Sequence, residues 1–401
     1  MPDSHAKIRF WGVRGSTPTA DPATWRYGGN TACLELTTPR GARFIVDCGT
    51  GLRVLGNQPP APHAAQNGGA KDESQHAHIL VTHYHWDHIQ GLPFFAPLYS
   101  PQNRFHFYSF RSEYLGRDSL KQVFETQMAY PYFPVNLSAM SAAREFTEIS
   151  GGETFQIDDA RITTRWLNHP QGCLGFRFET SAGVIAYATD NEPAGAESTN
   201  KQYVKNLLEL AAGADIFIND AQYTPEQLAG ERKGWGHSSW LEGTRIAREA
   251  GVRNLVLFHH DPDSSDRAVD GLLRQARQHF DNVWAATEGM AMALGQEQME
   301  VLLPTGRSGQ RREGNLRAMV TGFTTDGRAF QEETVIRDLT LQGAMIYLHN
   351  SPRLQSELQV EMDDPGRENP AAQSMRLRGY VVKLEPAPKN GDTAVGLVFT
   401  E

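Results

Sequence analysis

Residues 82–88 read Thr-His-Tyr-His-Trp-Asp-His, and four of them offer nitrogen or oxygen donors: His83, His85, Asp87 and His88. The run that leads into them, His78–Thr82, is short and mostly apolar, which predicts a buried strand that ends at the cluster. Imidazole is the commonest metal ligand in proteins, and carboxylate beside imidazole suits Zn, Mn or Fe. A solvated loop rich in histidine is the alternative, but four donors directly after a buried strand favour a metal site.

The pattern around this cluster indicates a mixed α/β domain of layered structure. Strands predominate early, at Ala6–Gly12, Thr31–Thr37 and Ala42–Asp47, and a helix-like stretch, Ile89–Tyr99, follows the cluster. The segment Gly56–Ala77, rich in Pro, Ala, Gln, Asn and Gly, is typical of a surface loop insertion. Later strands and helices alternate up to about residue 296: Ala160–Leu167, Gly183–Thr189, Asp215–Asn219 and Asn254–Phe258 as strands, and Tyr203–Ala212, Trp240–Ala250 and Ser265–His279 as helices.

The motif His-x-His-x-Asp-His after a strand resembles the signature of the metallo-β-lactamase fold, an αββα sandwich found in a superfamily of metal-dependent hydrolases. Four further motifs of that family appear in the expected order over residues 6–296. They are Asp47 at the end of a strand, His169 shortly after Leu167, Asp190 in Tyr-Ala-Thr-Asp, and His259 directly after Phe258.

This resemblance implies a dinuclear metal site, with Zn²⁺ as the first expectation and Mn²⁺ or Fe as alternatives. The implied ligands are His83, His85 and His169 for one ion, Asp87, His88 and His259 for the other, and Asp190 as the bridge. His260 is the rival of His259, which we favour because it directly follows the strand. Asp47 is expected to hydrogen-bond a ligand histidine or the backbone; an ordinary aspartate at a strand end is the alternative.

A second constellation is Gly234–Trp240, which contains Gly-His-Ser and lies in a loop before a predicted helix. Together with Asp220 it resembles the phosphodiesterase branch of the fold, which includes tRNA 3′-processing nucleases and cyclic-nucleotide phosphodiesterases. The resemblance implies that His237 contacts the phosphate and protonates the leaving alkoxide, while Asp220 holds its tautomer and raises its pKa. Asp87 would hold a metal and help to position the hydroxide. A capping loop whose histidine is merely buried is the alternative.

The segment Glu125–Val135 favours a small substrate. The tRNA-processing members of the branch grip RNA with a long basic and glycine-rich arm, whereas this segment is aromatic and nearly uncharged, with Tyr130, Tyr132 and Phe133. We expect it to cover the active site or to pack at a homodimer contact; ordinary packing is the alternative.

The expected activity is hydrolysis of a small cyclic phosphate or cyclic nucleotide by a hydroxide shared between two metals. Arg14, Tyr27 and Asn30 of the N-terminal loops are candidates to reach the phosphate. Two alternatives stay open: a thioester or lactone hydrolase on the same metal site, and a non-catalytic protein that senses a nucleotide.

The chain changes character after about Gly295, which predicts a hydrolase domain over 1–296, a linker over 297–315 and a small β-barrel of short strands over 316–401.

In the last region Asp338, Thr340 and Gly343 resemble the Asp-x-Ser-x-x-Gly motif of PilZ domains. The arginines that would match the Arg-x-x-x-Arg motif of that family are Arg311, Arg312 and Arg317. The resemblance implies binding of cyclic di-GMP through arginine, which would modulate the hydrolase. The arginine spacing departs from the motif, and a degenerate barrel used for packing or dimerisation is the alternative.

Composition limits the partners. A formal net charge of −9 argues against broad binding of DNA or other nucleic acid, and 39% apolar residues exclude a disordered chain. Three cysteines, Cys33, Cys48 and Cys173, form neither a disulfide framework nor a CxxC pair, which suits a reducing compartment. No apolar run approaches the roughly 18 residues that a bilayer requires, and no signal peptide is visible. We therefore expect a cytoplasmic protein without membrane contact.

Overall fold

The computed structural model describes residues 5–59, 74–193, 198–295, 299–304, 312–340, 343–362, 375–387 and 391–399. They fall into two compact units, Met1–Val301 and Leu302–Glu401. No helix in the described part of the chain is both long and apolar enough to cross a bilayer.

The described residues of the first part of the chain form two sheets and seven α-helices. The strands are β1 (Ala6–Gly12), β2 (Cys33–Thr37), β3 (Arg43–Val46), β4 (His76–Leu80), β5 (Arg104–Phe110), β6 (Ala143–Ile149), β7 (Thr154–Ile157), β8 (Ala160–Leu167), β9 (Cys173–Thr180), β10 (Gly183–Ala188), β11 (Ile216–Asp220), β12 (Leu255–Phe258), β13 (Val283–Ala285), β14 (Ala291–Leu294) and β15 (Met299–Leu302). The helices are α1 (Gly51–Gly56), α2 (Trp86–Ile89), α3 (Ser119–Gln127), α4 (Ser198–Ala211), α5 (Pro225–Ala229), α6 (Trp240–Glu249) and α7 (Asp266–Ala276).

The two sheets pack face to face, with helices on both outer sides. The first has the order β15-β14-β1-β2-β3-β4-β5-β6 and the second β13-β12-β11-β10-β9-β8-β7. Aromatic rings join them, as where the centroids of Phe44 and Phe178 lie 5.5 Å apart. Helices α1 and α3 cover the first sheet, and α4, α6 and α7 cover the second. The result is the αββα layering that the resemblance implied.

Strand direction brings the candidate site residues to one edge of this sandwich. In the first sheet β3, β4, β5 and β6 are parallel, and in the second β10, β11, β12 and β13 are parallel. Strand β8 runs in the same direction as β10, because both pair antiparallel with β9. The carboxyl ends of β3, β4, β8, β10, β11 and β12 therefore lie at the same edge. Ligand-binding residues gather at such an edge in α/β sheets.

The predicted helix over Ile89–Tyr99 is wrong in extent. Helix α2 ends at Ile89, and two short 3₁₀ turns, Leu92–Phe94 and Ala96–Tyr99, replace its continuation. Pro93 and Pro97 explain this, because proline removes a helical hydrogen bond and clashes with the preceding turn. Much of the predicted loop insertion Gly56–Ala77 lies outside the described residues, and its two ends belong to α1 and β4.

The prediction that N-terminal loop residues reach a phosphate is also wrong. Arg14 is fully buried, and its guanidinium donates to the carbonyl oxygens of Gly28, Asp261 and Ser264. Tyr27 donates its hydroxyl to Asp270, and Asn30 donates its amide to Glu288. These side chains fasten the N-terminal loops to the body of the domain.

The aromatic segment Glu125–Val135 divides between core and surface. Met128 is fully buried and Phe133 packs edge-on against Phe94, with ring centroids 5.6 Å apart. Tyr130 and Tyr132 are exposed by 92% and 81%. A contact between two copies of the chain through these tyrosines stays a prediction.

The second unit is a closed barrel of six antiparallel strands. They are β16 (Arg312–Phe323), β17 (Ala329–Leu339), β18 (Gly343–Leu348), β19 (Glu357–Met362), β20 (Met375–Pro386) and β21 (Thr393–Phe399). Their order is β16-β17-β18-β21-β20-β19, and β19 pairs with β16 to close the ring. Alternate residues such as Ile346 and Leu348 fill the interior. The range 297–315, predicted as a linker, contains β15 and the first residues of β16.

Candidate metal centre

Three histidines, from the loops after β4 and β8, converge on one point. His169 Nε2 lies 3.0 Å from His85 Nδ1, and the ring of His83 lies 4.8 Å from that of His169. The ligand atoms of all three lie within 4.8 Å of one another. This spacing suits a single ion held between them.

Four further donors form a second group beside the first. His259 Nε2 lies 3.1 Å from Asp87 Oδ2 and 3.2 Å from His88 Nε2. Asp190 Oδ2 completes the group, 3.2 Å from His88 Nε2 and 3.3 Å from His259 Nε2. All four side chains are buried.

The carboxylate of Asp190 faces both groups. Its Oδ2 belongs to the second group, whereas its Oδ1 lies 3.7 Å from His83 Nε2 and 3.8 Å from His169 Nε2. One oxygen is thus available to each ion, which is the arrangement that a bridging carboxylate requires.

The donors fit a pair of divalent ions. His83 Nε2 is buried and has no hydrogen-bond partner among the described residues, which is costly for a polar nitrogen unless something binds its lone pair. The two groups together contain only imidazole and carboxylate, a set that Zn²⁺, Mn²⁺ and Fe all accept.

In four of the five ligand histidines the second ring nitrogen has its own acceptor, which fixes the tautomer. His83 donates from Nδ1 to the Thr82 hydroxyl at 3.0 Å, and His169 donates to the carbonyl of Gly236 at 2.8 Å. His259 Nδ1 donates to Gln222 at 2.9 Å, and His85 Nε2 donates to Gln171 at 3.2 Å. His85 therefore presents Nδ1 to its ion, and the other three residues present Nε2.

Asp47, predicted to support the ligands, lies beneath them and is fully buried. Its Oδ1 accepts hydrogen bonds from the backbone and the hydroxyl of Thr82, both at 2.8 Å. Its Oδ2 accepts from Tyr187 and lies 2.9 Å from His88 Nδ1. It thus links β3, β4 and β10 under the site.

The structure separates His259 from its rival His260. His260 points away from the ligand groups, and its Nε2 donates to the carbonyl of Ala286 at 2.9 Å. Burial lowers the pKa of His260 to about 3, helped by the nearby Arg14 guanidinium. A neutral histidine bonded to a backbone carbonyl is a core residue.

His237 and Asp220 form the pair that the sequence predicted. His237 Nδ1 donates to Asp220 Oδ2 at 2.9 Å, and Asp190 Oδ1 lies 3.8 Å from the same nitrogen. Burial opposes the charged form, but the carboxylates of Asp220, Asp190 and Asp87 outweigh it and raise the pKa of His237 to about 9. His237 and Asp87 line the same open cavity above the ligands.

Glu192 is a residue of the site that the motifs did not reveal. Its buried carboxylate accepts the backbone N–H groups of Gly234 and Gly236, both at 2.9 Å. A β-carbon at Gly236 would lie 2.4 Å from His169 Nδ1, so only glycine allows this close approach. Glu192 thus holds the loop that presents both the carbonyl for His169 and the His237 side chain. Its position two residues after Asp190 was the only signal in the sequence.

Gln222 and Ser16 were also missed. Gln222 accepts from His259 and donates from Nε2 to the Ser16 hydroxyl at 3.1 Å. The Ser16 N–H donates to Asp87 Oδ2 at 2.7 Å. Amide and hydroxyl groups have no spacing that marks them as part of a metal site, so only the folded structure reveals them.

The candidate nucleotide-binding residues of the barrel are partly described. Arg311 lies outside the described residues, and Arg312 begins β16, although its side chain is not described. Arg317 is exposed on β16, and Asp338 lies in β17 opposite Met345. Thr340 and Gly343 bond to each other across the turn from β17 to β18: the Gly343 N–H donates to the Thr340 hydroxyl at 3.0 Å.

Comparison with known proteins places this site in a family. A family model described as "Beta-lactamase superfamily domain" matches residues 42–260. The chain is 25% identical over 316 residues to ribonuclease BN of Erwinia tasmaniensis, covering 68% of this chain and 95% of that protein. It is 27% identical over 290 residues to ribonuclease BN of Escherichia coli O7:K1, covering 62% and 88%.

A solved structure shows the same fold. The metallo-β-lactamase fold protein YhfI from Bacillus subtilis superposes with a TM-score of 0.52 at 18% identity, covering 73% of this chain and 100% of YhfI. The expected metallo-β-lactamase fold is thereby confirmed. With its matched family model and its His/Asp cluster, the chain belongs to the β-lactamase superfamily and is a metal-dependent hydrolase.

Proposed function

We propose that this chain is a dinuclear-metal phosphodiesterase that hydrolyses a small cyclic phosphate or cyclic nucleotide. The observation that carries the proposal is the His237–Asp220 pair beside two ligand groups that share Asp190. A metal site alone would serve many hydrolytic reactions, whereas an added proton donor suits an alkoxide leaving group. The similarity to ribonucleases BN supports a phosphodiester as the bond that is cleaved.

The seven donors would divide as the resemblance implies: His83, His85 and His169 would hold one ion, Asp87, His88 and His259 would hold the other, and Asp190 would serve both. Bound there, two divalent ions supply positive charge for the phosphoryl oxygens and make a water molecule more acidic. Zn²⁺ is the first expectation, because a site of imidazole and carboxylate suits it, and Mn²⁺ and Fe are the alternatives. Asp87 accepts the N–H of Ser16, so it would connect a bound ion to the N-terminal loop.

His237 provides the proton for the leaving oxygen. Because Nδ1 donates to Asp220, the other ring nitrogen, Nε2, is left to carry the transferable proton, and His237 lines the cavity. Asp220 holds the tautomer of His237 and stabilises the imidazolium through the hydrogen bond to Nδ1. After the leaving group departs, neutral His237 can take a proton from solvent.

The size of the cavity favours a small substrate. It measures about 510 Å³ and is open to solvent, with Trp86 and Gln171 at its walls. Pockets of a few hundred Å³ accept ligands of nucleotide size. Cyclic nucleotides and small cyclic phosphates therefore fit the space above the ligand groups.

An RNA substrate is the second candidate, because the similarity to ribonuclease BN extends over 68% of the chain. Thioester or lactone hydrolysis is a third: it would need the ligand groups but not the proton of His237. A nucleotide-sensing protein without catalysis is the least favoured, because all seven ligands are present.

A substrate panel tests the proposal. Metal-loaded protein is assayed on 2′,3′- and 3′,5′-cyclic nucleotides, on single-stranded RNA with a 3′ tail, and on an acyl thioester, each with wild type and His237→Ala. We expect turnover of a cyclic nucleotide that falls at least about a hundredfold in the variant. Turnover of the thioester alone, equal in both proteins, would refute the proposal.

For the C-terminal unit we propose a PilZ-like barrel that binds cyclic di-GMP and modulates the hydrolase. The support is a closed barrel of six strands with exposed Arg317 on β16 and with Asp338 and Thr340 at the end of β17. Titration calorimetry on the full chain compares wild type, Arg317→Ala and, as a control, Arg328→Ala, whose side chain is 80% exposed and bonds Asp326. Binding that only Arg317→Ala weakens supports the proposal, and no heat at micromolar ligand retires it.

A further inference from the structure

Ser16 is an exposed polar residue in a backbone conformation that serine rarely adopts. Its φ is 60°, and the Thr17 N–H donates to the Gly15 carbonyl at 2.6 Å, which closes a three-residue γ-turn around it. A γ-turn with a positive φ at its centre is rare and strained for a residue that carries a β-carbon. Strain of this kind persists where the surrounding structure enforces it, and it clusters at functional sites.

The contacts of Ser16 enforce its conformation. Its N–H donates to Asp87 Oδ2 at 2.7 Å, and its hydroxyl oxygen accepts from Gln222 Nε2 at 3.1 Å. Gln222 is itself fixed, because its Oε1 accepts from His259 at 2.9 Å and its N–H donates to Asp220 at 2.9 Å. The loop is therefore anchored to the second ligand group, through Asp87 and Gln222, and the chain has serine here although glycine would relieve the strain.

The side chain of Ser16 lines the cavity together with Asp87, Asp190 and His237. A hydroxyl has one proton to donate and can accept two hydrogen bonds. Because the Gln222 amide donates to the Ser16 oxygen, the Ser16 proton is available to another acceptor. Ser16 is exposed, and it lines this cavity.

We propose that Ser16 is a further catalytic residue: its hydroxyl donates a hydrogen bond to a non-bridging phosphoryl oxygen of the substrate. The inference rests on the proposed phosphodiesterase function and adds an uncharged donor to the residues around the ligand groups. A fixed donor aimed at an oxygen that gains charge stabilises the transition state at little reorganisation cost. The strain at φ 60° is then the structural consequence of placing a hydroxyl, rather than a glycine, at this point of the loop.

Two variants separate the hydroxyl from the backbone. Ser16→Ala removes the hydroxyl and keeps the strained β-carbon, whereas Ser16→Gly removes both. We expect kcat/KM on the best phosphodiester of the panel to fall by about ten- to a hundredfold in both, the loss expected for one hydrogen bond to a charged oxygen. The Tm of Ser16→Gly should be no lower than that of wild type and above that of Ser16→Ala. Asp158→Gly, which relieves a positive φ of 50° in the exposed turn between β7 and β8, is the matched control and should keep full activity.

A binding measurement decides the matter independently of turnover. Inorganic phosphate is titrated calorimetrically into each metal-loaded protein, after elemental analysis has shown two ions per chain. About tenfold weaker binding in both Ser16 variants, with unchanged metal content, supports the proposal. Equal phosphate affinity in all proteins, no phosphate binding by wild type, or loss of metal from the variants would each overturn it. An inactive wild type that still distinguishes the variants by phosphate binding would count against the phosphodiesterase function and not against Ser16.

Discussion

Glu192→Gln should displace the loop that carries His237, and so lower activity, while leaving the fold intact. The carboxylate accepts two backbone N–H groups, those of Gly234 and Gly236, at 2.9 Å each, and the side chain is only 6% exposed. Glutamine has the same shape but only one acceptor oxygen, so its NH₂ group must face one of the two N–H donors. Gly236, whose carbonyl orients His169, and His237 belong to the same short stretch of chain as these two N–H groups.

The magnitude follows from the lost acceptor. A buried N–H that loses its partner costs about 1–3 kcal/mol. If about 1.4 kcal/mol of this cost raises the activation free energy, kcat falls about tenfold. The loss should be larger when the leaving group depends on the proton of His237. A p-nitrophenolate leaves without protonation, whereas an alkoxide does not.

The assay compares kcat on bis(p-nitrophenyl) phosphate with kcat on a cyclic nucleotide for wild type and Glu192→Gln. Glu209→Gln is the control, because this carboxylate is 41% exposed on α4 and bonds only Arg165 and Lys205 among the described residues. We expect the variant to lose about tenfold more activity on the alkoxide substrate, with an unchanged far-UV spectrum. Wild-type rates on both substrates would refute the idea that this carboxylate holds the loop.

Three further predictions concern the ligands and the thiols. Asp190→Asn should lower the affinity for both ions by at least about tenfold, and elemental analysis that still finds two tightly held ions would contradict the bridging role. His259→Gln should lose one ion per chain whereas His260→Gln keeps two, so equal metal content in these variants would reverse the assignment. Burial raises the pKa of all three thiols well above the ordinary value, so they stay protonated in the folded protein at pH 8. A thiol reagent should therefore react only after guanidinium unfolds the chain, and rapid reaction of the native protein would contradict the burial.

The sequence predicted the parts of the site that chemistry constrains to fixed residue types. Metal ligands come from a few residue types, here His and Asp, and these follow strands, so the cluster at 82–88 and its distant partners were visible as motifs. The structure brings all seven of these side chains together. The choice between His259 and His260 needed coordinates, because a strand that ends at Phe258 leaves both within reach until the backbone conformation at His259, with φ 61°, is known.

The supporting residues could not be predicted for a different reason. Glu192, Gln222 and Ser16 act through amide, hydroxyl and carboxylate hydrogen bonds, and such groups are common on any surface. Arg14 shows the converse. An arginine in a glycine-rich loop suggests a cation that can reach a ligand, but the folded protein buries it and its guanidinium donates to backbone carbonyls. Pro93 and Pro97, both present in the sequence, break the predicted helix because proline removes a helical hydrogen bond.

The most direct test of the central claim is a metal titration followed by turnover. Protein stripped with a chelator is titrated with Zn²⁺, and in parallel with Mn²⁺, while hydrolysis of the best cyclic nucleotide is measured. A dinuclear phosphodiesterase predicts that activity rises from background to a plateau at two ions per chain. A plateau at one ion per chain, or no phosphodiester turnover at any metal content, would contradict it.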